Sequence, residues 1–252
     1  MATLPPIQML WIGSRLSALE QLSIRSFLAN GHAVHLYSYG EVADVPAGTV
    51  RRDAREVLPE SEVFTYSSGF GKGSPSAFSN YFRYKLLLER GGMWCDIDIV
   101  CLRPFAFAAT APYCIASERR PPRAPDVRTT VKLNACLLQA PAASAVIREC
   151  YEACVAADKA AVRWGEIGPS LVSRKFIEHG LSHHALAPEV VCPIDWWNAH
   201  ELVIKPLPDL PGSFAIHLWN EVWRHHGIDK DDTFDPACAY ETLKRRFAPR
   251  RW

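Results

Sequence analysis

The sequence predicts an α/β fold with a mixed, mostly parallel central sheet, and three patterns indicate it. A short apolar run ends at Gly13, a helical pattern follows it, and a second apolar run occupies residues 33–37. A strand, a helix and a strand in this order form a βαβ unit, whose two strands are parallel. Proline-led helical patterns and further short apolar runs continue the alternation along the chain. We therefore expect one α/β domain that spans residues 1–252.

The individual helices and strands can be placed from the signals at their ends. The first strand covers about 7–12 and the first helix about 17–30, where apolar residues recur until Gly31. Ser74 and Pro75 favour the start of a second helix, and Gly91-Gly92 end it after Arg90. The remaining elements predicted in this way are strands at about 93–101, 129–138, 190–191 and 214–219, and helices at about 141–159, 168–180 and 235–247.

The composition argues against some partners and indicates a location. A net charge of +1 does not favour a nucleic acid as partner. The eight cysteines form no CxxC pair and mostly lie in apolar stretches, as buried thiols do in a reducing compartment. The sequence shows no signal-peptide pattern and no apolar run of about 18 residues, the length that a membrane span needs. We expect a cytoplasmic protein.

Two aspartates, Asp96 and Asp98, stand inside an apolar run that otherwise favours a strand. Aspartate is depleted in strands, so the pair needs an explanation. Alternate side chains of a strand point to the same side, which would place the two carboxylates about 6–7 Å apart. Two buried like charges are costly, whereas a hard divalent cation such as Mn²⁺ or Mg²⁺ relieves that cost. We predict a metal site here; a surface strand end is the alternative.

The helix that precedes the aspartates carries a polar face. Ser76, Asn80 and Arg83 recur at helical spacing, and the Gly91-Gly92 turn folds this helix back towards the aspartates. An amide and a guanidinium beside a metal site suit the hydroxyls and phosphates of a nucleotide-sugar. A solvated arginine on an amphipathic helix is the alternative interpretation.

A second polar cluster lies near the carboxyl end of the chain, at residues 215–220. His217 alternates with Trp219, so both side chains are predicted to point to one face of a strand. A neutral imidazole can complete a metal site, and an indole N–H can donate to a phosphate oxygen. A lone histidine on a strand is more often structural, and that alternative stays open.

At these residues the chain resembles the retaining glycosyltransferases with a DXD sugar-binding region. That family includes initiating mannosyltransferases, α-1,4-galactosyltransferases and the glucosylating domains of clostridial toxins. The matching motifs are Trp11-Ile12-Gly13, Ala77-Phe-Ser-Asn80-x-x-Arg83-Tyr84, Gly91-Gly-Met-Trp94-x-Asp96-x-Asp98 and His217-Leu-Trp219-Asn220. The resemblance implies a GT-A fold, with a Rossmann-like nucleotide-binding half at about 1–105 and an acceptor half at about 106–252. It also implies a member of the bacterial capsule or polysaccharide type.

The resemblance implies a role for each matching residue. The implied donor-binding residues are Trp11, which would stack on the nucleobase, and Asn80, Arg83, Trp94, Asp96 and Asn220. The implied metal ligands are Asp98 directly, Asp96 through water, and His217. The implied catalytic residues are Asp98, Arg83 and Trp219. Together with Mn²⁺ or Mg²⁺ they would stabilise the charge that develops on the leaving diphosphate.

The reaction implied by the resemblance is transfer of a hexose from a UDP- or GDP-sugar to an acceptor, with retention at the anomeric carbon. The acceptor would be a glycan, a lipid-linked molecule or a protein. Many relatives carry an aspartate where this chain has Asn80, and an amide cannot act as a base. No other general base stands out, so the departing phosphate itself would take the acceptor proton. Asn134 and the 225–232 segment are further candidates for the acceptor side.

Two other functions remain open on sequence grounds. Asp96-Ile-Asp98 also resembles the first motif of aspartate-nucleophile phosphatases, although a complete strand–helix–strand unit precedes it here. A non-catalytic sugar-binding module would share the same polar residues without turnover. The basic tail, residues 244–251, is either a solvated helix end or a means of weak association with an anionic membrane surface.

Overall fold

The chain alternates helices and strands in the computed structural model, which describes residues 4–121 and 131–247. The strands are β1 (Ile7–Leu10), β2 (Val34–Ser38), β3 (Val50–Asp53), β4 (Gly92–Cys95), β5 (Ile99–Cys101), β6 (Cys114–Arg119), β7 (Val131–Ala140) and β8 (Ala215–His217). The helices are α1 (Ala18–Ala29), α2 (Ser76–Arg90), α3 (Ala145–Ala156), α4 (Pro169–Glu178), α5 (Pro188–Val191), α6 (Asn220–His225) and α7 (Ala239–Phe247).

Six of these strands form the central sheet, in the order β3-β2-β1-β4-β7-β6. Strands β3, β2, β1 and β4 are parallel to one another, whereas β7 runs antiparallel to both β4 and β6. The order 3-2-1-4 of the parallel strands is that of a Rossmann-type half. The predicted α/β class and its mixed, mostly parallel sheet are confirmed. Strands β5 and β8 form a separate antiparallel pair.

The βαβ unit at the start of the chain depends on a well-capped helix. Ser17 precedes α1, and Glu20 accepts hydrogen bonds from the backbone N–H and the hydroxyl of Ser17 at 2.8 and 2.5 Å. This reciprocal arrangement satisfies amide groups that the first helical turn leaves without a partner. The helix then crosses the sheet so that β1 and β2 pair in parallel, with Ile7 beside Val34.

The core lies on both faces of the central sheet. One apolar cluster packs α1 and α7 against the sheet and includes the fully buried Phe27, Trp223 and Tyr240. The other lies beneath α2, α3 and α4 and includes the buried Phe78 and Trp94. Parallel strands covered on both faces leave only the sheet edges open, so a ligand is expected at the carboxyl ends of the strands.

A tight crossing fixes the position of α2 against the sheet. Gly91 ends this helix with a φ of +63°, and a Cβ on it would lie 2.5 Å from the amide nitrogen of Ala142. Only glycine combines this φ with so close an approach. The turn directs β4 back along α2, as the sequence predicts.

The predicted strand at 93–101 is wrong as a single element. The chain leaves the central sheet after Cys95, turns at Asp96 to Asp98, and resumes as β5 in the other sheet. The backbone N–H of Ile99 donates to the carbonyl of Asp96 at 3.2 Å inside this turn. Aspartate favours turns over strands because its side chain competes for backbone hydrogen bonds. The two aspartates therefore belong to a connection between two sheets.

Other predicted elements also differ from the structure. The strand predicted at 214–219 ends at His217 as β8, so Trp219 lies outside it, and the helix predicted at 235–247 begins only at Ala239 as α7. The strand predicted at 190–191 is a single helical turn, α5, which begins at Pro188 and ends where the Cys192 N–H donates to the Pro188 carbonyl. The proline provides a helix start that outweighs the strand preference of two adjacent valines. The helix predicted at 141–159 is shorter, because Ala143 has a φ of +59° and α3 begins only at Ala145.

Residues 129–130 of the predicted strand at 129–138 and residues 248–251 of the basic tail lie outside the described residues. Within the described ranges, no helix has the length and apolar character needed to cross a membrane.

Candidate active site

A cavity of about 690 Å³ opens at the carboxyl ends of β1 and β4. It is formed by the segments that follow these strands, by the amino-terminal half of α2 and by the segment that joins β8 to α6. Every residue predicted for the site lines this cavity, namely Trp11, Asn80, Arg83, Trp94, Asp96, Asp98, His217, Trp219 and Asn220. Asn134 lines it as well, whereas no residue of the 225–232 segment does. The fold thus brings together motifs that are more than 200 residues apart in the sequence.

Asp98 is held by groups from the β8–α6 connection. Its Oδ2 atom lies 3.2 Å from Nε2 of His217 and accepts a hydrogen bond from the backbone N–H of Asn220 at 2.9 Å. Burial opposes ionisation of this carboxyl, but the charge of His217 and these hydrogen bonds outweigh it, so the pKa of Asp98 is lowered. Asp98 is therefore a carboxylate, the form that binds a cation.

Asp96 has a different environment, although it lies two residues away. Its Oδ1 atom accepts a hydrogen bond from Nη2 of Arg83 at 2.6 Å and another from Nε1 of Trp94 at 2.7 Å. Burial raises the pKa of Asp96 in spite of the Arg83 charge, and the nearby Asp98 adds to the rise. The two aspartates are thus held by separate sets of donors, and Asp96 is the carboxyl that protonates more readily.

Arg83 and Trp94 both donate hydrogen bonds to Asp96 in this structure. The Arg83 side chain is almost fully buried, its guanidinium lies over the Trp94 ring at 5.0 Å, and Trp94 itself is 1% exposed. The predicted contacts of Arg83 with a phosphate and of Trp94 with the donor remain predictions. Among the described residues, Nε of Arg83 is buried and has no hydrogen-bond partner.

Trp219 stacks on His217, with 3.7 Å between the ring centroids, and has a positive φ of +58°. The sequence predicts that its indole N–H donates to a phosphate oxygen of the donor. In the structure this N–H donates to the backbone carbonyl of Ile194 at 2.8 Å. A contact with the diphosphate requires this hydrogen bond to break. The stacking itself orients the imidazole towards Asp98.

Trp11 and Asn80 both line the cavity, Trp11 from just after β1 and Asn80 from α2. Nε1 of Trp11 is buried and has no hydrogen-bond partner in the described part of the chain, and Nζ of Lys230 lies 5.5 Å from the ring centroid. Asn80 donates to the carbonyl of Ser76 at 3.0 Å, and its amide would meet a Cβ on Gly168 at 2.8 Å. The polar residues predicted on the α2 face do point into the cavity.

Glu118, at the carboxyl end of β6, lines the cavity and was missed by the sequence analysis. It accepts a hydrogen bond from the Asn134 amide and pairs in register with Lys132 of β7. Burial raises the pKa of Glu118, and the Asn134 hydrogen bond opposes the rise only in part. A mostly apolar run that ends in an acid, Cys114-Ile-Ala-Ser-Glu118, is the sequence pattern that could have indicated this residue.

A buried thiol pair lies behind His217. The Sγ atoms of Cys136 and Cys192 are 3.8 Å apart, and Sγ of Cys192 is 3.8 Å from Nδ1 of His217. The imidazole therefore stands between the thiols on one side and Asp98 on the other. All eight cysteines are free and buried, as their apolar sequence context predicts.

The residues around Asp98 fit a hard divalent cation. Two adjacent ligands of an octahedral ion, each about 2.1 Å from it, lie about 3.0 Å apart. Oδ2 of Asp98 and Nε2 of His217 lie 3.2 Å apart at the wall of the cavity, and Asp96 supplies a further carboxyl two residues away. Burial opposes the charge of His217, but the Asp98 carboxylate outweighs it and raises the pKa of His217 well above its usual value. A cation would therefore have to displace the proton from Nε2, and the metal site remains a prediction.

The comparison with known families agrees with this geometry. Residues 49–119 match the family described as "Glycosyltransferase sugar-binding region containing DXD motif". This segment is similar to the DXD sugar-binding region of glycosyltransferases. The match extends from just before β3 to the end of β6, so it contains Arg83, both aspartates and Glu118. It confirms the resemblance and the enzyme class predicted from the sequence, and gives the phosphatase and non-catalytic alternatives no support.

Two solved structures are similar in outline. One is described as "PaToxG Glycosyltransferase", with 15% identity, a TM-score of 0.48 and coverage of 71% of this chain and 70% of that chain. The other is a transferase mutant, with 10% identity, a TM-score of 0.43 and coverage of 74% and 93%. Likenesses at this level carry no argument about substrates. A search of curated proteins finds no match.

Proposed function

We propose that this glycosyltransferase moves a hexose from a UDP- or GDP-sugar to an acceptor with the help of Mn²⁺ or Mg²⁺. The observation that carries the proposal is the contact of Asp98 with His217 at 3.2 Å inside a cavity at the carboxyl ends of β1 and β4. Asp98 in the turn between the two sheets and His217 of β8, 119 positions apart, would supply adjacent ligand atoms at the place where a Rossmann-type sheet binds nucleotides.

The metal would be held by Asp98 and His217 directly and by Asp96 through water. When bound, the ion offsets the negative charge of the diphosphate and of the leaving oxygen. His217 is kept in place by stacking on Trp219, and Asp98 by the Asn220 N–H. The chain therefore holds the ligand atoms in position before the donor arrives, which lowers the cost of ordering them on binding.

The donor would lie along the cavity from Trp11 to Asn80. Trp11 supplies an aromatic face at the end formed by β1, where the base would stack. Asn80 and the second oxygen of Asp96 would hydrogen-bond the sugar hydroxyls. Arg83 keeps one oxygen of Asp96 engaged at 2.6 Å, so the orientation of the other oxygen is set before a sugar binds. Asn220 would contact the donor near the metal.

Arg83 and Trp219 would have catalytic roles in this proposal, by neutralising the diphosphate as it leaves. For Trp219 that role requires release from Ile194, and for Arg83 it requires exposure of the Nε group, which is buried and has no partner among the described residues. Retention at the anomeric carbon is proposed on the resemblance alone. The resemblance is also the basis for proposing a glycan, a lipid-linked molecule or a protein as acceptor and a place in polysaccharide biosynthesis. A cytoplasmic location is proposed from the cysteine pattern, and weak membrane association from the charge of the basic tail.

Thermal-shift measurements with UDP- and GDP-sugars test the proposal. We expect a donor to raise the melting temperature in the presence of Mn²⁺ and to lose this effect when EDTA is added, because the metal bridges protein and diphosphate. Only the matching nucleobase should act, which identifies the donor. A shift of equal size with and without chelator would contradict the metal role, and no shift with any nucleotide-sugar would contradict the proposed donor class.

A further inference from the structure

A second cavity, of about 540 Å³, adjoins the first one. The two cavities share three residues, Glu118, Lys132 and Trp196, which therefore form the boundary between them. Given the proposed function, an acceptor must approach the donor sugar across such a boundary, because both substrates contribute atoms to the new bond. We propose that the second cavity binds a sugar ring of a glycan acceptor, with Trp196 as the stacking surface and Glu118 as the group that accepts the proton of the attacking hydroxyl.

Trp196 has the properties of a fixed stacking surface. Its side chain is 36% exposed although it lines both cavities, and it packs edge-on against Trp197 with 5.5 Å between ring centroids. Asp195, the residue before it, accepts a hydrogen bond from Arg119 of β6 at 3.0 Å. This ion pair ties the tryptophan to the strand that carries Glu118. An indole face held open beside polar groups suits the apolar C–H face of a sugar ring.

The polar residues of the second cavity suit sugar hydroxyls. Ser170 and Ser173 line it on the α4 side, and Lys132 faces them from β7. Arg119 also lines this cavity, but its guanidinium is engaged by Glu189 and Asp195. Hydroxyl and ammonium groups around one aromatic ring bind the hydroxyls of a carbohydrate in a defined orientation.

Glu118 is the carboxylate at the boundary, and its position follows from the register of β6 and β7. Lys132 and Asn134 are alternate residues of β7 and so lie on one face of the sheet, the face that lines the donor cavity. Glu118 pairs with Lys132 in register and accepts a hydrogen bond from Asn134. One carboxylate oxygen is thereby oriented by Asn134, and the other can receive a hydrogen bond from a substrate hydroxyl.

The proposed step balances without a further reactant. The oxygen of the acceptor hydroxyl forms a bond to C1 of the donor sugar on the face from which the diphosphate departs, as retention requires, while the bond from C1 to the diphosphate oxygen breaks and its electron pair leaves with the diphosphate. The hydroxyl proton passes to the Glu118 carboxylate, which later releases it to water. Burial raises the pKa of Glu118, which brings this carboxylate closer to the value that suits a proton acceptor near neutral pH. The proton then does not need to go to the departing phosphate.

The test compares two variants with soluble sugar acceptors, using p-nitrophenyl hexosides and short oligosaccharides as probes and the donor identified by thermal shift. Trp196→Ala should raise the KM for the sugar probe about tenfold or more, and Trp196→Phe by less. Glu118→Gln should lower kcat about 100-fold or more. In wild type the rate should rise with pH as Glu118 loses its proton, and this rise should be missing in Glu118→Gln. Donor KM should change little in each variant, which also shows that the variants are folded.

Glu152→Gln is the matched control for the charge change, because Glu152 is exposed on α3 and lines neither cavity. The inference is overturned if Trp196→Ala leaves the acceptor KM unchanged, if Glu118→Gln keeps kcat and the pH profile, or if the enzyme hydrolyses its donor yet glycosylates a peptide or lipid and none of the sugars. It is also overturned if donor hydrolysis occurs and no probe is accepted. Absence of donor binding in wild type would instead contradict the proposed function, so the two failures are distinguishable.

Discussion

Nε2 of His217 and Oδ2 of Asp98 lie 3.2 Å apart and connect the end of β8 to the turn between the two sheets. The contact brings a residue near the end of the chain to the centre of the DXD segment. It is reinforced by the Trp219 ring, which stacks on the imidazole, and by the Asn220 N–H on the same carboxylate oxygen. A site of this kind depends on the whole β8–α6 connection and not on the two aspartates alone.

The buried pair of Arg83 and Asp96 predicts a test of stability. Arg83→Met removes the cation and leaves a largely buried carboxyl with Trp94 as its remaining donor. Loss of one partner of such a pair costs about 3 kcal/mol of unfolding free energy, as measured by urea denaturation. Adding Asp96→Asn should restore part of this loss, because no unpaired charge then remains. A loss of unfolding free energy in the double variant that equals the sum of the losses in the two single variants would show that the pair is not coupled.

Trp219 predicts a distinction between positioning and direct contact. Trp219→Phe keeps an aromatic ring on His217 but removes the N–H that donates to Ile194, together with one of the two indole rings. Because the proposed catalytic role uses this N–H, Trp219→Phe should lower kcat about 100-fold and the unfolding free energy by about 1 kcal/mol. Trp219→Ala should weaken Mn²⁺ binding as well, because the imidazole loses its stacking partner. A fall in kcat of less than about fivefold for the phenylalanine variant would instead show that the N–H stays on Ile194 during turnover and that Trp219 only positions His217.

The glycine-rich segment that borders the cavity gives a third prediction. A Cβ on Gly71 would lie 2.5 Å from ring atoms of both Trp164 and Tyr66, so Gly71→Ala must displace this segment. Phe70, its neighbour, stacks on His225 with 3.8 Å between ring centroids and thereby closes one side of the cavity. We expect a higher KM for the donor in kinetic assays and a small change in melting temperature.

Gly40→Ala is the control for this substitution. Gly40 is exposed, and a Cβ there would meet no atom within 4 Å. It should keep the donor KM of wild type. An unchanged donor KM for Gly71→Ala would show that this segment does not touch the donor.

Replacing Glu118 by Gln should raise stability while it lowers activity. Because burial raises the pKa of Glu118 in the folded protein, its charged form lowers stability above that pKa, and the cost disappears below the unfolded value, about 4.5. Glu118→Gln can keep the hydrogen bond from Asn134 without the charge. Its melting temperature should exceed that of wild type at pH 7 and equal it near pH 4. A lower melting temperature at pH 7 would contradict the assigned cause of the pKa shift.

Most residues of the candidate site could be predicted from the sequence, because helical spacing and turn-forming glycines indicate which side chains share a face. Asn80 and Arg83 follow helical spacing, and Gly91-Gly92 determines that α2 returns towards the aspartates. The turn at Asp96 to Asp98 was missed because an apolar context favours a strand when the sheet that receives each half is unknown. The sequence also does not show which distant residues form hydrogen bonds with each other in the folded site.

Glu118 and Trp219 show why. Glu118 becomes a cavity residue only through the register of β6 against β7, and the Trp219 N–H finds Ile194 only after the β8–α6 connection has packed on the 192–196 segment. Such pairings depend on tertiary contacts between distant segments, which no local pattern specifies. The α/β class, by contrast, follows from the order of elements alone, and it was predicted.

Hydrolysis of the identified donor in the presence of Mn²⁺, compared between wild type and Asp98→Asn, tests the central claim most directly. Asp209→Asn is the matched control, because Asp209 is exposed and lies outside both cavities. We expect wild type and the control to release the nucleoside diphosphate at the same rate. In Asp98→Asn the rate should be at least about 100-fold lower, because one ligand of the metal is removed. Equal rates in wild type and Asp98→Asn would contradict the account.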